Sequence, residues 1–174
     1  MGIRPAKCYK KIHRAYTRQS QRKPRKGYVK GVPKPKIADF QSGERKDYGT
    51  NVVLIAKQSV QIRDNALESA RVVATQCLEK TLGLGGYFFR VRPYPHQVIR
   101  ENPLATGAGA DRFQQGMRKS FGNPIGSAAR VFEGQIIMEV FVNEASVRVA
   151  KQALNSARYK LPTTCRIVVQ KTPV

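Results

Sequence analysis

The sequence predicts an α+β fold: a mixed or antiparallel sheet with two packed helices, a basic amino-terminal extension and a long glycine-rich loop. Three observations carry this reading. Apolar runs such as Val52–Val53–Leu54–Ile55 alternate with two stretches whose apolar residues recur every three or four positions. Glycine and proline crowd into residues 102–129, where no period is visible. Residues 1–36 hold 13 basic side chains and no acidic one. A length of 174 residues suits one domain with an extension, and the expected division is 1–38 and 39–174.

After Asp39 the composition becomes that of a folded domain. Val52 to Ile55 reads as a buried strand, because three of its four residues are β-branched. Asp64 or Asn65 can cap a first helix, whose stripe is Leu67, Ala70, Ala74, Cys77, Leu78 and Leu82. Gly83 should end it. Tyr87 to Arg92 reads as a strand with Phe89 and Val91 on one face and Phe88, Arg90 and Arg92 on the other. His96 to Arg100 is a short strand set off by Pro93 and Pro95. Ile136 to Val142 is the longest strand candidate. Asn143 can cap a second helix that presents Val147, Ala150, Leu154 and Ala157 and must stop before Pro162. Cys165 to Val169 closes the domain as a strand. The expected order is strand, helix, two strands, the long loop, then strand, helix, strand.

Lys plus Arg number 32 against 11 Asp plus Glu, a net charge of +21. Such a charge disfavours most small-molecule enzymes. It favours a polyanion, either nucleic acid or, less often, an anionic membrane surface. The basic residues of the extension are Arg4, Lys7, Lys10, Lys11, Arg14, Arg18, Arg22, Lys23, Arg25, Lys26, Lys30, Lys34 and Lys36. Tyr9, Tyr16 and Tyr28 are interleaved with them, and four prolines break any helix. Alone, the segment should be extended and mobile, folding only against a surface that neutralises it. It can be read as a solvated tail, as an organelle transit peptide, or as an RNA- or DNA-binding arm. The uncompensated charge and the stacking-competent tyrosines favour the last. The loop at 102–129 is open to two readings, a floppy insertion or a basic finger that enters a nucleic-acid cavity. It carries Arg112, Arg118 and Lys119, with Arg130 at its end.

Catalytic signals are weak. Cys8, Cys77 and Cys165 are far apart and odd in number, which argues for a reducing compartment and against a disulfide framework. No run approaches the ~20 apolar residues of a spanning helix, and no apolar leader follows Met1, so neither membrane nor export is expected. No phosphate-loop sequence occurs, and Gly107-Ala-Gly109 lacks the strand–turn–helix setting of a dinucleotide fingerprint. His13 and His96 have no companion ligands in a metal pattern. Asp39, Glu44 and Asp47 lie among basic residues, and Glu101 and Asp111 merely flank or enter the loop. No catalytic residue, metal or cofactor is therefore expected. An RNA-processing enzyme and a general DNA-compacting protein stand as the alternatives to a structural RNA-binding protein.

The motifs narrow this choice. Met1-Gly-Ile-Arg-Pro-Ala-Lys-Cys-Tyr9, Gly31-Val-Pro and Ala66-Leu-Glu-Ser-Ala-Arg71 resemble a universal large-subunit ribosomal protein family. The bacterial branch of that family is called L-sixteen, and its archaeal and eukaryotic branch L-ten-e. The resemblance is strongest across Arg90-Val-Arg-Pro-Tyr-Pro-His-Gln-Val-Ile-Arg100, Gly107-Ala-Gly-Ala-Asp-Arg112, Gln115-Gly-Met-Arg118 and Phe121-Gly122. Because the sequence stops at Val174, it looks like the archaeal members, which lack the eukaryotic carboxy-terminal extension. The resemblance implies an α+β fold and a structural, non-enzymatic role in the cytoplasm. It implies binding to large-subunit rRNA between the central protuberance and the peptidyl-transferase region, near the 5S rRNA and neighbouring ribosomal proteins. It implies that Gly107, Gly109, Asp111, Arg112, Gln115, Gly116 and Arg118 form a flexible finger facing tRNA acceptor ends. Arg90, Arg92, Arg100 and Arg130, with the arm's basic residues, would contact rRNA. The family also aids translation and late subunit assembly.

Overall fold

In the computed structural model, residues 4–13, 27, 29–102, 107, 109, 117, 118 and 120–171 are described. Among them, strands β1 (Gln41–Gly43), β4 (Phe88–Val91), β7 (Ile136–Val142), β2 (Thr50–Ala56) and β8 (Cys165–Lys171) form one sheet in that spatial order. A second, three-stranded sheet runs β3 (Val60–Arg63), β6 (Asn123–Val131), β5 (Gln97–Glu101). Every pairing is antiparallel. Helices α1 (Asp64–Leu82) and α2 (Val147–Arg158) complete the α+β fold that the sequence predicts.

The core follows the two periodicities. On β2, Val52, Leu54 and Ala56 face the helices, and Val91, Met138, Val140 and Val142 join them from the neighbouring strands. The β2–β7 register slips between Leu54 and Ile55, so Ile55 pairs with Ile136 and Ile137 is the extra residue. That bulge lets Ile137 and Met138, adjacent in sequence, both enter the core. Helix α1 buries Leu67, Ala70, Ala74 and Leu78, as its stripe predicts, and Cys77 and Leu82 pack at the margin. Helix α2 buries Ala150, Ala153, Leu154 and Ala157. The small alanines let α1 and α2 pack closely. Each fully buried leucine contributes roughly 1.5–3 kcal/mol. Gly83 ends α1 at φ +68°, a left-handed value that favours glycine, and its N–H returns to the Glu79 carbonyl.

Three expectations need correction. The structure has two antiparallel sheets where one was expected, because β3, β6 and β5 pair only among themselves. The loop expected over 102–129 ends early, since its last residues belong to β6, which starts at Asn123. Pro124, Gly126 and Ala128 have poor strand propensity, and pairing with β3 on one side and β5 on the other overrides it. The expected helix caps also differ. The N-cap positions are Arg63 and Ser146, neither of which makes a side-chain cap bond, and Asp64 is the first residue of α1, its carboxylate accepting the Asn65 N–H at 2.8 Å. The Asp64 carboxylate also accepts the Lys36 N–H at 3.0 Å and faces the Ser127 hydroxyl at 3.4 Å, tying the approach to the domain onto both α1 and β6. Asn143 supplies only a main-chain carbonyl, to the Ser146 N–H.

Candidate nucleic-acid interface

The arginines read from the sequence fall on two different sheets. Arg90 is in β4 and Arg92 directly follows it, whereas Arg100 is in β5 and Arg130 in β6. In the first group, the sheet register places Glu139 of β7 opposite Arg90. Glu139 is only 1% exposed, yet both arginines reach it, Arg92 Nε at 3.0 Å and Arg90 Nε at 3.5 Å. The Arg90 and Arg92 side chains remain 40% and 44% exposed. A buried carboxylate thus aligns two solvent-facing cations, leaving one net positive charge and several unused donors, which suits a phosphate. Glu139 was not foreseen, because a single acid in an apolar strand carries no pattern. Its alternation with Met138 and Val140 was the available signal.

The second group is built with the amino-terminal arm. Residues 4–13 lie against the three-stranded sheet, and main-chain carbonyls of the arm do much of the docking. The Gln61 N–H donates to the Lys10 carbonyl at 2.9 Å, and the Gln61 side chain donates to the Tyr9 carbonyl at 3.3 Å. Arg63 donates to the Arg4 carbonyl at 2.8 Å, and Arg130 donates to the His13 carbonyl at 2.6 Å. Side chains add a clamp at Glu101, which accepts from Arg4 and, at 3.1 Å, from the Tyr9 hydroxyl. The Arg4 guanidinium, helped by Tyr9, holds the Glu101 carboxyl below its usual range. Burial and the adjacent Glu101 carboxylate push the Tyr9 phenol up. Arg63 also lies over the Tyr9 ring at 5.7 Å.

The remaining sequence-predicted residues are placed as follows. Lys7 and Lys11 are exposed, Lys10 is half-buried, and Lys30 is exposed. None of these four pairs with a carboxylate among the described residues. Gly107, Gly109 and Arg118 are exposed, and nothing lies within 4 Å of the position a Cβ would take on either glycine. Arg14, Arg18, Arg22, Lys23, Arg25, Lys26, Asp111, Arg112, Gln115 and Gly116 lie outside the described residues. Of the two histidines, His13 serves through its carbonyl, and His96 is exposed beside Tyr94, ring centroids 4.5 Å apart. Cys165 is buried and its thiol is pushed up to about 11, so at neutral pH it is a protonated packing group and no nucleophile.

The family profile of ribosomal protein L16p/L10e matches residues 16–168. The large ribosomal subunit protein uL16 of Picrophilus torridus is 47% identical over 173 residues, covering 98% of this chain and 94% of that protein. Its counterpart in Methanococcus aeolicus is 45% identical, with 98% and 96% covered. That of Staphylothermus marinus is 48% identical over 170 residues, with 97% and 94% covered. These relatives are archaeal, as the resemblance read from the motifs implies. Identity at this level across nearly the whole length shows that the chain belongs to the L16p/L10e family of large-subunit ribosomal proteins, a structural family and not an enzymatic one.

Proposed function

We propose that this chain binds large-subunit rRNA near the 5S rRNA and the central protuberance, beside the peptidyl-transferase region. Residues 1–38 act as the rRNA-binding extension of a domain spanning 39–174. The segment around Gly107 to Arg118 faces tRNA acceptor ends, and the protein supports translation and late subunit assembly in the cytoplasm. Neighbouring ribosomal proteins share the interface.

One observation carries the reading. The arm docks on the domain largely through its carbonyls, so Lys7 and Lys11 stay exposed and pair with no carboxylate among the described residues. Fixed in this way, the two lysines lose little further freedom when they meet phosphates. The Arg90–Glu139–Arg92 group offers a second anchor on the other sheet. The test is co-sedimentation of tagged protein with large subunits during active translation. Recovery in the large-subunit fraction is expected, and recovery only in free fractions would sink the proposal.

A further inference from the structure

The arm has a counterpart at the other end of the chain. Residues 145–174 hold six basic side chains and no acidic one. Helix α2 gathers three of them: Lys151 and Arg158 stand three and ten positions after Arg148. At that spacing they line the side of α2 away from its buried Ala150, Ala153 and Ala157. We infer that this face grips the phosphate backbone of an rRNA segment distinct from the one at Arg90 and Arg92, so that the domain is wedged between two. The inference rests on the proposed rRNA binding and adds to it a bridging role.

Charge gives the first argument. Helix α1 mixes three acids with two bases, and its Arg71 pairs with Glu68. Helix α2 has no acid at all. Arg148 and Lys151 are exposed, and their side chains make no hydrogen bond or ion pair among the described residues. Glu144, the nearest acid in sequence, pairs with Lys171. Arg158 is braced by Tyr159, whose ring it overlies at 5.1 Å. Three like charges within about 15 Å of helix repel one another, and phosphates relieve that repulsion.

Placement gives the second. The buried side of α2 packs on β2, β7 and β8. Arg90 and Glu139 lie on the far face of that same sheet, because their neighbours Phe89, Val91, Met138 and Val140 enter the core. The two cation groups therefore face away from each other, across the sheet and a helix about 10–12 Å in diameter. One stretch of RNA backbone cannot touch both without winding around the domain.

The experiment compares large subunits carrying the native chain, Arg148→Gln with Lys151→Gln, or Arg92→Gln. Arg148 and Lys151 are exposed, so the double variant should melt like the native chain. Arg158 is left in place because it also complements the carboxy-terminal end of the helix dipole. Subunits loaded to native level at low salt are probed with hydroxyl radicals, which report on the RNA backbone. The double variant should expose one backbone segment, and Arg92→Gln a different one. The double variant should also lower the salt dependence of rRNA binding by about 1.4–1.8 logarithmic units per unit, the value for two phosphate contacts. The charge-preserving pair Arg148→Lys with Lys151→Arg should keep both protection and slope. An unchanged slope with no exposed segment, or exposure of the same segment by both neutral variants, overturns the wedge while the rRNA reading stands. If the native chain is absent from large subunits, the rRNA reading itself falls, and the wedge with it.

Discussion

Arg92 Nε donates to Glu139 Oε2 at 3.0 Å, so a half-exposed cation is oriented by a carboxylate that is itself 1% exposed. Arg90 sits across the same carboxylate, on Oε1, at 3.5 Å, a distance of charge attraction without a hydrogen bond. Neutralising the acid removes the reference point for both arginines. Glu139→Gln should lower stability by about 1.5–3 kcal/mol, the usual scale for a hydrogen bond to a charged group. The expected readout is a fall in the denaturant midpoint with an unchanged slope. An unchanged midpoint would show that the pairing is incidental.

Acid should weaken the clamps at Glu101 and Glu68. Arg4 lowers the Glu101 carboxyl, and Arg71, at 2.6 and 2.9 Å, lowers Glu68, with the Ala38 N–H assisting. Both fall below the ordinary value of 4.5. The unfolded chain therefore takes up these protons at a higher pH than the folded one. Their contribution is complete above 4.5 and disappears as the pH falls through the lower folded values. Glu101→Gln should flatten the acid limb of a stability profile without steepening it near neutrality. A steeper neutral limb would contradict the assignment.

Gly43 and Gly31 separate backbone strain from collision. Both are left-handed, with φ +85° and +71°. Nothing lies within 4 Å of a Cβ at Gly31, so Gly31→Ala should cost only the conformational penalty, about 1–2 kcal/mol. At Gly43 a Cβ would sit 2.2 Å from the Tyr87 carbonyl oxygen. That carbonyl accepts the Glu44 N–H, and the Tyr87 hydroxyl reaches Ser42 and Glu79. Gly43→Ala should therefore be the more destabilising and should part β1 from β4, which exchange of the β4 amides would report. Equal losses would refute the collision.

Charge removal should distinguish anchoring from the loop's own role. Lys11→Ala should reduce the salt dependence of rRNA binding by about 0.7–0.9 of a logarithmic unit per unit, the value for one phosphate contact. Replacing Arg112 and Arg118 together should impair tRNA-dependent steps more than subunit association. Equal loss of both activities in translation and sedimentation assays would argue against a separate finger.

The helices and β4 could be read from the sequence because their residues bear a period, and β2, β5, β7 and β8 because they are short apolar runs rich in β-branched residues. Leu67 through Leu82 mark one helical face, and Phe88 to Val91 alternate as a strand must. Strand β6 could not be read in this way. Asn123-Pro-Ile-Gly-Ser-Ala-Ala is held by partners more than twenty residues away in sequence. Strand β1 has three residues and no room for a pattern. The candidate interface divides similarly. The arginines stand out as charges, but Glu139 acquires meaning only from the residues the fold sets beside it. The docking of the arm was hidden too, since carbonyls are common to every residue and leave no mark in composition.

That docking has an evolutionary consequence. Three of the four bonds from Gln61, Arg63 and Arg130 reach atoms that any residue at positions 4, 9 or 13 would supply, and the fourth, to position 10, is likewise main chain. Side chains along this stretch can drift without loosening the grip, apart from Arg4 and Tyr9, which close on Glu101. The arm behaves as an adapter. One side is held to the domain chiefly through main chain, and the exposed side chains of the other can change without disturbing that hold.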